Sequence, residues 1–143
     1  MTRLQKEVST AIAAVIRASK LTQKVFTSIQ SGNPNSGGTI TKIDKSPVTI
    51  ADYGSQAIIN AVLHSAFPKD PIVGEEDADE LRKNPELREK VWKLVSSTLN
   101  DVPSKDLESE GGIINDDDQM MSYIDKGNFE GGSSGRMTLG EKA

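Results

Sequence analysis

At 143 residues the chain is about the size of one average domain, enough to bury roughly 68–70% of the surface that its unfolded form exposes. A net charge of −4 argues against a nucleic-acid backbone as partner, because such binding needs a surface rich in Lys and Arg. With no cysteine and a single histidine, His64, disulfides, thiolate chemistry and His-rich zinc sites are excluded. The longest apolar run near the N-terminus, "AIAAVI", is too short to span a bilayer, and Lys6 and Glu7 before it do not form a signal peptide's basic-then-apolar order. The expectation is a soluble, intracellular protein, taken as cytoplasmic.

Leu4, Val8, Ala11, Ile12, Val15, Ala18, Val25 and Ile29 recur at spacings of three and four and predict one long amphipathic helix over residues 2–30. "SGNPNSGG" breaks it, since Gly, Pro and Asn supply turn geometries in which a helix cannot continue. The β-branched alternation of "TITKI", residues 39–43, predicts a strand. A second helix follows over residues 49–65, with Ile50, Tyr53, Ala57 and Ala61 on one face, and then "PIVG" reads as a short buried strand. Helices are predicted on both sides of Pro85, the second with a stripe of Leu87, Val91, Leu94, Val95 and Thr98, and Trp92 as a packing residue. Residues 100–112 are polar without a period and read as loop. "NDDDQMMSYIDKGN" predicts a helix with acids in its first turn, where the macrodipole favours negative charge. "FEGGSSGR" reads as a glycine-rich loop.

With Cys and clustered His absent, chemistry has to come from carboxylates, hydroxyls or backbone. Glu75 directly follows "PIVG", and a carboxylate at the end of a buried strand is a rigid ligand for a hard cation such as Mg²⁺, which takes one or two carboxylates and shares phosphate oxygens. The plainer alternative is that Glu75, Glu76 and Asp77 form a solvated acidic turn. Asp52, placed near the start of the second helix by the Pro47 turn, either complements backbone N–H groups there or orients an attacking water. His64 lacks a partner in sequence, "GGSSG" alone is a flexible connection, and Asp116–Asp118 lacks the further acids and glycine of a calcium loop.

Read together, "TKIDKSPVTIADYGSQAIIN", "FPKDPIVGEED" and "GNFEGGSSGR" resemble, in that order, the N-terminal part of the 3′(2′),5′-bisphosphate nucleotidases. These are the PAP phosphatases of the inositol monophosphatase superfamily, and the chain looks most like the fungal type. "SPVTIADYGSQA" is the specific signal, whereas "GEE" is shared by the wider superfamily. The resemblance implies an α/β layered sandwich of which this chain holds only the N-terminal part: long helix, strand, helix, strand, helices. It implies hydrolysis of the 3′-phosphate of adenosine 3′,5′-bisphosphate, and of its sulfated relative PAPS, with Mg²⁺ as cofactor, lithium inhibition and a place in sulfate assimilation. Glu75 matches the family's metal-binding glutamate and Asp52 the aspartate that helps to activate the nucleophilic water.

After "GGSSGR" the family continues through a Trp into a Leu-Asp-Pro-Ile-Asp-Gly-Thr segment that binds metal, where this sequence reads "MTLGEKA". Residues 1–136 are therefore expected to be an incomplete part of a phosphatase domain and 137–143 a divergent tail. The chain alone is expected to have little activity and to leave apolar helix faces without partners. The alternatives are a non-catalytic interaction or regulatory product, or an inositol-phosphate phosphatase relative.

Overall fold

The 29 residues that open the chain contain neither Gly nor Pro, and they start with a reciprocal cap. Thr2 Oγ1 accepts from Gln5 N at 3.1 Å while Gln5 Oε1 accepts from Thr2 N at 2.8 Å, so two N–H groups at the helix start are satisfied. The computed structural model describes residues 2–31 and 47–129. Its elements are α1 (Arg3–Ser31), α2 (Pro47–Ala66), α3 (Asp79–Lys83), α4 (Pro85–Asn100), α5 (Ser104–Glu110) and α6 (Asp117–Asp125).

Helix α2 starts on Pro47, whose missing N–H costs nothing in a first turn. It is the central element, packed against α1, α4 and α6. Ile50, Tyr53, Ala57 and Ala61 are all buried, as their spacing predicts. Small residues set the α1–α2 approach: Ala13, Ala14 and Ala18 are buried on α1, and a Cβ on Gly54 of α2 would lie 2.8 Å from Leu21 Cδ1. Helix α4 begins with Asn84 as cap, accepting from Leu87 N at 3.1 Å, and Pro85 in its first turn. Its Leu87, Val91, Val95 and Thr98 are buried, and Trp92 and Leu94 pack against the core part-buried. Helix α6 is capped by Asp116, which accepts from Gln119 N at 2.7 Å, so the acidic run is a helix start.

Several expectations need correction or lie outside the described residues. "PIVG" is not a buried strand: Val73 is 78% exposed and makes a single antiparallel bridge, to Asn128. Among the described residues two backbone bonds pair it, Gly74 N to Gly127 O and Phe129 N to Ile72 O, and Pro71 has no donor to extend the ladder. Among the described residues there is no strand, so the α/β expectation is not met there. "GNPNSGG" after Ser31, "TITKI", the "GGSSG" loop and residues 137–143 lie outside the described residues.

Residues 100–112, expected as loop, contain α5. Only Leu107 of that helix packs against the core, so no periodic signal marks it; tertiary anchoring by Arg17 of α1 holds it instead. Arg17 is buried and donates to the carbonyls of Asp106 and Gly111 and to Glu110 Oε1 at 2.9 Å. Finally, only Ala18, which is buried, and Val25, which packs part-buried, of the predicted α1 stripe meet the core. The core face of the helix is Ala13, Ala14, Arg17, Ala18 and Leu21, while Leu4, Val8, Ile12, Val15 and Ile29 point outward and are exposed.

Candidate active site

Asp52 and Glu75 sit on segments that one side chain ties together. Asp52 is exposed in the second turn of α2, and Gln56 follows it by four residues on the same face. Gln56 Nε2 donates to the carbonyls of Glu76 at 2.7 Å and Ile124 at 2.9 Å, and Gln56 Oε1 accepts from Glu76 N at 3.0 Å. The backbone of the acidic turn is thus pinned to α2 and to the end of α6 by a single carboxamide.

Two glycines make room for it. A Cβ on Gly74 would fall 2.7 Å from the Gln56 carboxamide, and one on Gly127 would fall 2.8 Å from Gln56 Nε2 and 3.0 Å from Gly74. Gly74 N donates to Gly127 O at 2.8 Å, so the segment before Glu75 rests directly on the chain that leaves α6. On the other side of the turn, Asp125 of α6 accepts from Ala78 N at 2.8 Å and pairs with Arg82 of α3. Asp77 caps the same bend, accepting from Asp79 N at 3.0 Å.

The turn is strongly anionic. Burial, followed by the charges of Glu75, Asp52, Asp77 and Glu80, pushes the Glu76 carboxyl above the usual glutamate range. Asp52 is therefore close enough for its charge to be felt at Glu76. Tyr53, buried beside Asp52 in sequence, donates to Glu80 Oε2 at 3.2 Å. Burial first, then that bond and the carboxylates of Glu80, Glu76 and Asp77, push its phenol up to about 12. Such a field favours a cation with oxygen ligands, and Asp52 and Glu75 supply exposed carboxylates of the right chemistry for Mg²⁺. Among the described residues, however, no group of three His, Cys, Asp or Glu side chains is arranged to hold a metal ion.

The two site residues named from sequence thus share one anionic surface. Sequence reasoning missed the groups that position them, Gln56, Gly74, Gly127 and Asp125. A usable signal was present, since Gln56 lies one helical turn beyond Asp52 and Gly74 immediately precedes the acids. His64 is half-buried and edge-on to Tyr123, with ring centroids 6.1 Å apart, a packing role. Among the described residues no helix is long and apolar enough to cross a membrane.

No family model matches the chain. Curated proteins do. The 3′(2′),5′-bisphosphate nucleotidase of Schizosaccharomyces pombe is 49% identical over 131 residues, covering 92% of this chain and 36% of the relative. The likeness is to 3′(2′),5′-bisphosphate nucleotidases. Nucleotidase 1 of Candida albicans is 44% identical over 138 residues, covering 92% of this chain and 35% of the relative. A plant relative, nucleotidase 1 of Arabidopsis thaliana, is 38% identical over 136 residues, again 92% of this chain and 36% of its own length. The chain therefore spans a little over a third of the length of the curated nucleotidases it matches.

Proposed function

We propose that this chain contributes the first carboxylates of a Mg²⁺-dependent 3′(2′),5′-bisphosphate nucleotidase site, within an inositol monophosphatase-like fold to which residues 1–136 belong. One observation carries the reading: Gln56 fixes the Glu75–Glu76 backbone against the helix face that bears Asp52, in a chain of which 92% matches a 3′(2′),5′-bisphosphate nucleotidase at 49% identity. Glu75 would hold the cation with one carboxylate oxygen. A bound Mg²⁺ would supply an acidified water and neutralise charge on the phosphoryl oxygens.

Asp52 accepts a proton from the attacking water, a role for which an exposed carboxylate on a rigid helix is suited. Gln56, one helical turn beyond Asp52, holds the Glu76 backbone beside Glu75, and Gly74 and Gly127 leave room for its carboxamide. The substrate is a small nucleotide carrying two phosphates, adenosine 3′,5′-bisphosphate, with its sulfated form as a second substrate.

The test is a chimera in which the chain replaces the matched segment of the Schizosaccharomyces pombe relative. Phosphate release from adenosine 3′,5′-bisphosphate should require Mg²⁺. Asp52→Asn should lower kcat by about 10²–10⁴-fold, the contribution of a general base. Glu75→Gln should raise the Mg²⁺ concentration needed for half-maximal rate. An active chimera indifferent to both substitutions would refute the assigned roles.

A further inference from the structure

Arg82 is the first cation along the chain after the acidic turn. Its backbone N–H donates to Ala78 O at 3.0 Å, so α3 starts directly from the residue that closes the turn. The exposed guanidinium pairs with Asp79, three residues back on α3, at 3.3 Å, and with Asp125 near the end of α6.

The two oxygens of Asp125 have different partners. Oδ1 accepts from Ala78 N at 2.8 Å, and Oδ2 accepts from Arg82 Nη2. The Asp79 carboxylate is 74% exposed, and a solvated pair of that kind holds a long side chain weakly. Asp125 is part-buried and held by the buried Ala78 backbone, so it is the stronger anchor. The hydrogen bond to Asp125 does most to push the Arg82 guanidinium above the usual arginine range, against burial and ahead of the charge of Asp79.

What this anchor prevents follows from the surroundings. Glu76 and Asp77 lie in the turn from which α3 starts, and the charges of Asp52, Glu75, Asp77 and Glu80 are all felt at Glu76. A guanidinium carries five donors in a fork that matches carboxylate oxygens, and it never loses its charge. Freed from Asp125, Arg82 has these carboxylates as alternative partners, and on them it competes with any incoming cation for the same oxygens.

We propose that Asp125 is a positioning residue that keeps Arg82 off the carboxylate surface, so that Asp52 and Glu75 stay open to a divalent cation instead of being neutralised by the chain's own guanidinium. For the identity of that cation, Mg²⁺, the inference rests on the nucleotidase reading above. Asp125 acts through Arg82 and takes no place among the ligands.

Three variants of the chimera separate this role from a clasp that only braces the turn. Asp125→Asn keeps an oxygen for Ala78 N–H but removes the charge that anchors Arg82; Arg82→Met removes the guanidinium; the third carries both substitutions. Mn²⁺ binding is read without substrate by electron paramagnetic resonance, beside the Mg²⁺ concentration that gives half-maximal phosphate release. Asp125→Asn should weaken Mn²⁺ binding and raise the Mg²⁺ requirement by about fivefold, the upper range for an exposed ion pair, with kcat at saturating Mg²⁺ retained. Arg82→Met should weaken neither, and the double variant should return to the unsubstituted values.

A bracing clasp gives another order: Arg82→Met weakens Mn²⁺ binding as much as Asp125→Asn does, and the double variant is no better. That order overturns the inference, and so does unchanged Mn²⁺ binding in Asp125→Asn. If Asp125→Asn does not fold, Arg82→Met decides, since undiminished Mn²⁺ binding supports the role and weakened binding overturns it. The nucleotidase reading fails separately. An inactive chimera whose Mn²⁺ binding follows the expected order sinks that reading and leaves the role of Asp125 standing, whereas an active chimera that binds Mn²⁺ equally in all three variants does the reverse.

Discussion

The carboxamide of Gln56 reaches three backbone groups on two segments, and nothing else in the described residues bridges α2, the acidic turn and the end of α6 in this way. Gln56→Leu would keep the volume but leave Glu76 N–H and two carbonyls without that partner. The expected loss is about 2–4 kcal/mol in urea unfolding, more than a single bond is worth, because unpaired buried groups retain their desolvation cost. Asn at the same position is too short to reach and should not rescue.

Tyr53 makes a prediction of the opposite kind, visible only at high pH. Its folded pKa of about 12 lies above the ordinary tyrosine value near 10. A raised folded pKa gives stability that is complete below the unfolded pKa and lost as pH rises through the folded one. Unfolding by alkali should therefore steepen between pH 10 and 12, and Tyr53→Phe should flatten that limb. Absorbance at 295 nm should lose, in the variant, the tyrosinate step near pH 12. Neither residue was singled out for its hydrogen bonds from sequence, because a Gln and a Tyr on a helix look like ordinary packing until the partner loop is known.

Among elements, the contrast between α4 and α5 shows what a sequence reveals about folding. Helix α4 carries its own instructions: an Asn cap, a first-turn proline and a four-residue apolar rhythm that ends buried. Helix α5 has only Leu107 against the core and depends on a residue some 90 positions away. Arg17 holds it through Asp106 O, Glu110 Oε1 and Gly111 O, contacts that no local pattern announces. The positive φ of Gly111 and Gly112, 74° and 80°, turns the chain back under that guanidinium.

A Cβ on Gly112 would lie 2.5 Å from Arg17 Nη1 and 2.7 Å from Val62. Gly112→Ala should cost about 1–3 kcal/mol, the scale of backbone strain at such a position. Arg17→Met should keep α1 packed on α2 while releasing α5, seen as faster amide exchange over residues 104–110 with little change in α2. Equal acceleration in both helices would mean that Arg17 supports the α1–α2 contact rather than α5. The direction of α1 was illegible for a related reason. Two apolar arcs share one helix, and periodicity reports both without saying which one meets the core.

For the molecule as a whole, the matched segment and the catalytic requirement point in different directions. The motif order from "SPVTIADYGSQA" to "GEED" is legible in sequence and agrees with 49% identity to a nucleotidase, yet the sheet expected beside those motifs is absent from the described residues. A phosphoryl-transfer site needs enough ligands to fix its metal geometry as well as carboxylates to attract the metal. The described residues bring Asp52, Glu75, Glu76, Asp77 and Glu80 to one surface, but no three of them converge as a metal cage. On the proposed reading, in which the chain supplies only the first carboxylates of the site, the 143-residue chain alone should release phosphate from adenosine 3′,5′-bisphosphate at the buffer rate, with or without millimolar Mg²⁺, while the chimera turns over. Mg²⁺-dependent turnover by the free chain, abolished by Glu75→Gln, would show instead that this surface closes a working site by itself.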